Sequence, residues 1–182
     1  MNINLPFFWT NASTRRKRIY TFLFVLAVAI LFTAIASLTP ISHSTATQVY
    51  NQLNESVSQQ KTSGTVPQYI FLNNFRICLI EFIPIVGPIF GAVSFVTTGY
   101  DLGAISLALG IPPYLYMFFE FLNPIFWIEF TAYSIAIAES IWLYRRLMQK
   151  QYGELKNTAI LIGVCAALLV VGAIVESMLP LI

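Results

Sequence analysis

The sequence predicts an all-α fold, a polytopic bundle of about five transmembrane helices, and three observations carry that prediction. Of the 182 residues, 57% are hydrophobic and only 10% are charged, where a soluble domain carries roughly 25% charged residues. The charges are also badly placed for a water-soluble surface. Eight of the ten basic residues fall in two short segments, Arg15-Arg16-Lys17-Arg18 and Arg145-Arg146 through Lys150 to Lys156, while five of the eight acids (Glu81, Glu120, Glu129, Glu139, Glu176) lie inside apolar stretches. Finally, several runs reach the ~20 apolar residues that a span needs at 1.5 Å rise per residue. The net charge is only +2, and the basic residues gather in those segments and interleave with no aromatic face, which argues against a nucleic-acid partner.

Taken in order, residues 1–18 are a polar, aromatic and basic head. Ile19 to Thr39 is a run of 21 uncharged residues, the first predicted span (19–39). Ala34-Ile35-Ala36 has the small-x-small shape of a signal-peptidase site, but the long polar lead and the length of the run favour retention as a helix. Residues 40–68 are rich in Ser, Thr, Gln and Asn, with Glu55 and Lys61 the only acid and base. Within them Ala46, Val49, Tyr50, Leu53 and Val57 recur at helical spacing, which predicts a short amphipathic helix on the membrane surface. Asn54-Glu55-Ser56 matches a glycosylation sequon, a tripeptide common by chance.

Tyr69 to Thr98 is apolar for 30 residues, too long for one straight span. Pro84, Gly87 and Pro88 interrupt it, and proline both deletes a helix hydrogen bond and clashes with the preceding turn. The expectation is a second span (69–98) broken or kinked at Pro84–Pro88. Gly99-Tyr100-Asp101 reads as a tight turn into a third span (102–121), notched by Pro112-Pro113. Asn123-Pro124 leads into a fourth (125–144), and a fifth covers 158–179. The positive-inside bias places Arg15–Arg18 in the cytoplasm. Five crossings then place the 145–156 loop there too, and the 40–68 segment outside. Spans 69–182 thus form a four-helix core behind the first helix.

Charged groups at membrane depth cost about 2.5–3.5 kcal/mol or more, so they face protein or water. The first half of the second span carries Asn73, Asn74, Arg76 and Glu81. Asn73, Asn74 and Glu81 fall within about 100° of one another on a helical wheel, with Arg76 off to one side. Glu129 heads a stripe of Ala132, Tyr133, Ala136 and Ser140, which favours a close-packed helix interface over a proton or cation site. Glu139 lies about 80° off that stripe. Gly99-x-x-x-Gly103 and Gly163-x-x-x-Ala167 have the small-xxx-small spacing of close-packed helices.

Cys78 and Cys165 sit in apolar runs and read as packing residues, with an inter-span disulfide the alternative. His43 is the sole histidine, so no catalytic triad and no usual zinc spacing can be assembled. No catalytic, cofactor-binding or metal-ligating residue is assigned.

The middle of the chain resembles the stage II sporulation protein M family. Leu72-Asn73-Asn74-Phe75-Arg76, Pro84-Ile85-Val86-Gly87-Pro88-Ile89-Phe90-Gly91, Gly99-Tyr100-Asp101-Leu102-Gly103-Ala104 and Pro124-Ile125-Phe126-Trp127-Ile128-Glu129 carry the resemblance, over roughly residues 72–142. The His and Gly that the family places after that Pro are missing here, as is the Asn before Gly99. The resemblance implies a multi-pass cell-membrane protein without catalytic activity, acting as a scaffold or assembly subunit with other membrane or exported proteins. A distant similarity of the family to the membrane subunits of ABC exporters implies the alternative, a permease component. The implied partners are the lipid bilayer and proteins of a membrane complex, with homo- and hetero-oligomers both open.

Overall fold

The structure is a computed structural model and describes residues 13–178. Among them are seven helices and no strand: α1 (Thr14–Ser37), α2 (His43–Ser63), α3 (Val66–Glu81), α4 (Val86–Ala108), α5 (Pro113–Leu122), α6 (Pro124–Met148) and α7 (Glu154–Met178). Two of these are long and apolar enough to cross a membrane, α1 with a mean hydropathy of 2.6 and α7 with 2.8. Helices α4 and α5 meet at a bend of 116°, and add a third candidate if they count as one broken span.

Prolines start three of the helices. Pro67 stands at the head of α3, Pro113 opens α5 and Pro124 opens α6. A first-turn proline has no hydrogen bond to lose there, and its φ is already helical. Asn123 caps α6, its side-chain oxygen accepting from the Ile125 N–H at 3.0 Å. Ser13 caps α1 in the same way, accepting from Arg16 N at 3.4 Å. Of the predicted 1–18 head, residues 1–12 lie outside the described residues, and Arg15–Arg18 are helical, forming the first turns of α1.

The centre of the bundle is α6, with thirteen buried residues, and it packs against α1, α3, α4 and α7. Its neighbours' directions follow from matched residues. Asn74, Cys78 and Ile83 meet Glu129, Ala132 and Ser140 in ascending order, so α3 runs parallel to α6. Gly87, Gly91 and Phe95 meet Ser140, Ile137 and Phe130 in descending order, so α4 runs against it. Glu139 with Thr158, Ala132 with Cys165 and Ile128 with Gly172 set α7 antiparallel to α6. Finally, Phe95 and Gly103 of α4 meet Thr33 and Ser37, which makes α1 parallel to α4.

These directions correct the predicted second and third spans. The 69–98 stretch is not one kinked helix: α3 and α4 are opposed, and the chain reverses at residues 82–85. Pro84 lies in the reversal, whereas Gly87 and Pro88 belong to the first turn of α4. Ile85 has φ 70° and ψ −49°, and Val86 N donates to Pro84 O at 2.8 Å. Together these define a γ-turn of the rare, strained hand, occupied by a β-branched residue that disfavours positive φ. Gly87 is required beyond it, since a Cβ there would run into the Glu81 backbone carbonyl and the Ser140 hydroxyl.

Nor is Gly99-Tyr100-Asp101 a turn, because α4 passes through it unbroken. Gly99 and Gly103 rest on the Thr33 and Ser37 carbonyls of α1, so glycine serves here to admit a neighbouring backbone. The predicted 102–121 span is correspondingly divided between the end of α4 and α5, with the break at 109–112. The first, fourth and fifth predicted spans fall largely within α1, α6 and α7. The amphipathic segment is helical as α2, but it docks on α4 within the protein. Ala46 is fully buried there, whereas Leu53 is exposed.

Candidate functional site

The polar side chains of the bundle collect along the α6 face that meets α3, α4 and α7, at three levels. At the end that holds both basic segments, Glu139 is buried and paired. Arg18 donates to its Oε2 at 3.2 Å and the Thr158 hydroxyl to its Oε1 at 2.8 Å. Arg18 also binds Glu154, which Arg146 approaches at 3.8 Å. Beside this network Trp142 donates from Nε1 to the Thr21 hydroxyl at 3.1 Å, with the guanidinium groups of Arg18, Arg145 and Arg146 5.6–6.0 Å from its ring centre. The sequence marks Glu139 and both basic segments but not their union, which joins α1, α6 and α7 across 121 and 136 positions.

One step further in from the same end, Glu81 is completely buried, and neither carboxyl oxygen has a hydrogen-bond partner among the described residues. It sits under the reversal at 82–85, beside Gly91, where an added Cβ would approach its Oε1 to 3.4 Å. The Ser140 hydroxyl donates to Ile83 O at 3.0 Å and ties the reversal to α6. Cys78 and Cys165 are free, buried thiols. Both point at the Ala132 carbonyl, at 4.0 and 3.4 Å, one from α3 and one from α7. Ala132 and Ala136 are fully buried and allow this approach.

At the third level Asn74 donates to Glu129 Oε1. Glu176 and Glu120, two more of the acids that lie inside apolar stretches, are electrostatic neighbours of this carboxylate. Of the sequence-selected residues, then, the structure brings Asn74, Glu81 and Glu129 onto one seam, with Glu139 at its foot. Asn73 and Arg76 are left on the exposed side of α3. The described residues contain no cluster of three metal-ligating side chains.

A family model described as Stage II sporulation protein M matches residues 20–179. The chain belongs to the stage II sporulation protein M family. The match reaches well beyond the 72–142 stretch whose motifs carry the resemblance, taking in α1 through α7, and makes the chain a membrane protein of that family. Neither a curated protein nor a solved structure matches it. Within this family member, the bond between Asn74 and Glu129 links two of the segments that carry the resemblance, the Asn-Asn pair and the segment from Pro124 to Glu129. They lie 55 positions apart.

Proposed function

We propose that this member of the stage II sporulation protein M family is a non-catalytic scaffold of a membrane complex, crossing the membrane five times from a cytoplasmic N-terminus. In this reading α1, α3, α4, α6 and α7 are the spans. Their directions alternate along the chain, as successive crossings must, and both basic segments lie at one end, as the positive-inside bias requires. Helices α2 and α5 lie on the opposite, external side. The position at the centre of the bundle supports counting α6 as a span despite Glu129 and Glu139, because Glu139 is buried and Glu129 is held by Asn74.

The observation that carries the scaffold reading is Arg76. It lies on α3 between the levels of Asn74 and Cys78, yet it points away from the bundle. Its side chain is exposed, as is that of Asn73 one turn earlier, and it makes no ion pair among the described residues. An arginine turned toward lipid carries a cost that an acidic or amide group on a partner helix removes. The exposed stretch of α2 from Asn51 to Ser56 extends the same offer outside the membrane. Purification in mild detergent should therefore yield a stoichiometric complex with other membrane or exported proteins. Arg76→Leu should release those partners while leaving the stability of the isolated chain within about 1 kcal/mol of wild type.

A permease component, similar to ABC exporter membrane subunits, is the second reading. It is favoured by Glu81, a buried carboxyl without a partner beside irregular backbone, since discontinuous helices with intramembrane acids are what transport sites use. Co-purification with a nucleotide-binding subunit, or substrate flux in proteoliposomes, would replace the scaffold reading with this one.

A further inference from the structure

At the end of the bundle that holds the basic segments, α1 and α6 part to leave a cavity of about 690 Å³. Its walls are apolar, formed by Leu23, Phe24 and Ile141, and Tyr20, Tyr144 and Arg145 stand at its mouth. A second hollow shares Phe24 and Ile141 with the first and continues along α1 past Val28 to Phe32. Tyr20, Phe24, Val28 and Phe32 are spaced four apart, so they form one stripe on α1. From Tyr20 to Phe32 that stripe rises about 18 Å at 1.5 Å per residue. One leaflet offers about 15 Å of hydrocarbon, half of a ~30 Å core.

The charge at the mouth is unbalanced. Arg18 and Arg146 are engaged by Glu139 and Glu154, but Arg145 makes no ion pair among the described residues and is exposed. It rests against the Trp142 ring, 5.6 Å from its centre. Arg15 and Arg16 on the adjacent turns of α1 are likewise exposed and outside any ion pair among the described residues. A basic, aromatic mouth above an apolar channel one leaflet long is complementary to a single kind of molecule.

We infer that this groove is a binding site for one anionic phospholipid. The headgroup phosphate sits against Arg145 between the rings of Tyr20 and Tyr144, at the depth where amphipathic aromatics and basic side chains collect. One acyl chain follows the stripe from Phe24 to Phe32 and covers apolar wall that α1 and α6 leave open. The inference goes beyond the scaffold reading and stands with either the scaffold or the permease, because it requires only that the chain be embedded in a membrane.

The test uses the full chain, delipidated in mild detergent. Its thermal midpoint is followed against added dioleoylphosphatidylglycerol, dioleoylphosphatidylcholine and inorganic phosphate. Phosphatidylglycerol should raise the midpoint saturably and phosphatidylcholine should not. Arg145→Gln should weaken the half-saturating concentration roughly fivefold, the worth of one well-placed basic residue at an anionic headgroup. Lys156→Gln, which removes an equal charge outside the groove, should leave it unchanged. Val28→Trp, which fills the channel, should abolish the saturable shift while Arg145 remains. Equal shifts with both lipids, equal losses in the Arg145 and Lys156 variants, or a full effect from inorganic phosphate would each overturn the site. So would saturable binding that appears only after residues 1–12 are deleted, which would show the chain's own N-terminal segment to be the occupant.

Discussion

Glu129 and Asn74 meet across 55 positions of sequence, and the pair shows how a carboxylate is accommodated between packed helices. The amide N–H donates to the carboxylate, so an acceptor is what position 129 must provide. Glu129→Gln retains one and should keep most of the stability. Glu129→Leu leaves the Asn74 amide unmatched and should cost about 1–3 kcal/mol, read as a lower thermal midpoint in detergent. Equal midpoints for the two variants would show that the bond contributes nothing. The inward aspect of Glu129 was legible from its stripe, because Ala132, Ala136 and Ser140 are small at helical spacing and all three prove buried. Its partner was not legible. The wheel that grouped Asn73, Asn74 and Glu81 spans an arc wider than one helix contact, and α6 touches only part of it, leaving Asn73 outside.

Among the elements, α1, α6 and α7 could be read from their apolar runs alone, whereas α3 and α4 could not. Two signals misled there, for opposite reasons. Proline and glycine at 84–88 marked a break or kink within one span, and the helix does break there, but the chain then folds back on itself, and Ser140 secures the reversal from a helix that local sequence cannot see. Gly99-Tyr100-Asp101 suggested a turn, yet Gly99 is kept for the backbone of α1 that lies against it. The contrast with Gly163 gives a direct test. A Cβ at Gly99 would collide with the Thr33 carbonyl and Ala36, whereas one at Gly163 would meet nothing within 4 Å. Gly99→Leu should therefore destabilise by about 1–3 kcal/mol or more through overpacking against a rigid backbone. Gly163→Leu should stay within about 0.5 kcal/mol of wild type. Thermal unfolding of both variants in one detergent checks the pair, and similar losses would mean that α1 does not seat on Gly99.

For the whole molecule, the proposed topology places the 82–85 reversal on the cytoplasmic side and keeps residues 99–101 within a membrane helix. In a background lacking Cys78 and Cys165, Ile85→Cys and Gln151→Cys should react with an impermeant maleimide only once the cytoplasmic face is opened. Asn54→Cys should react from outside intact cells, and Tyr100→Cys from neither side. Labelling of Tyr100→Cys together with Gln151→Cys would restore a turn at 99–101 and overturn the α3–α4 hairpin. Membrane residence was legible from composition, because burial of apolar surface in lipid leaves its mark on every span facing outward. The order of the helices around α6 was not, since it depends on contacts such as Thr33 with Phe95, 62 positions apart.

The parallel seating of α1 on α4 has a consequence for biogenesis. The helices that follow α1 directly, α2 and α3, make no substantial contact with it, and its main partners are α4 and α6. In the proposed topology, a ribosome adding about 5–20 residues per second therefore leaves α1 solitary in the bilayer for seconds. During that interval only its own lipophilicity can retain it. A mean hydropathy of 2.6 meets that demand, whereas α4 and α6, with their glycines, Asp101, Glu129 and Glu139, arrive to a docking surface already in place.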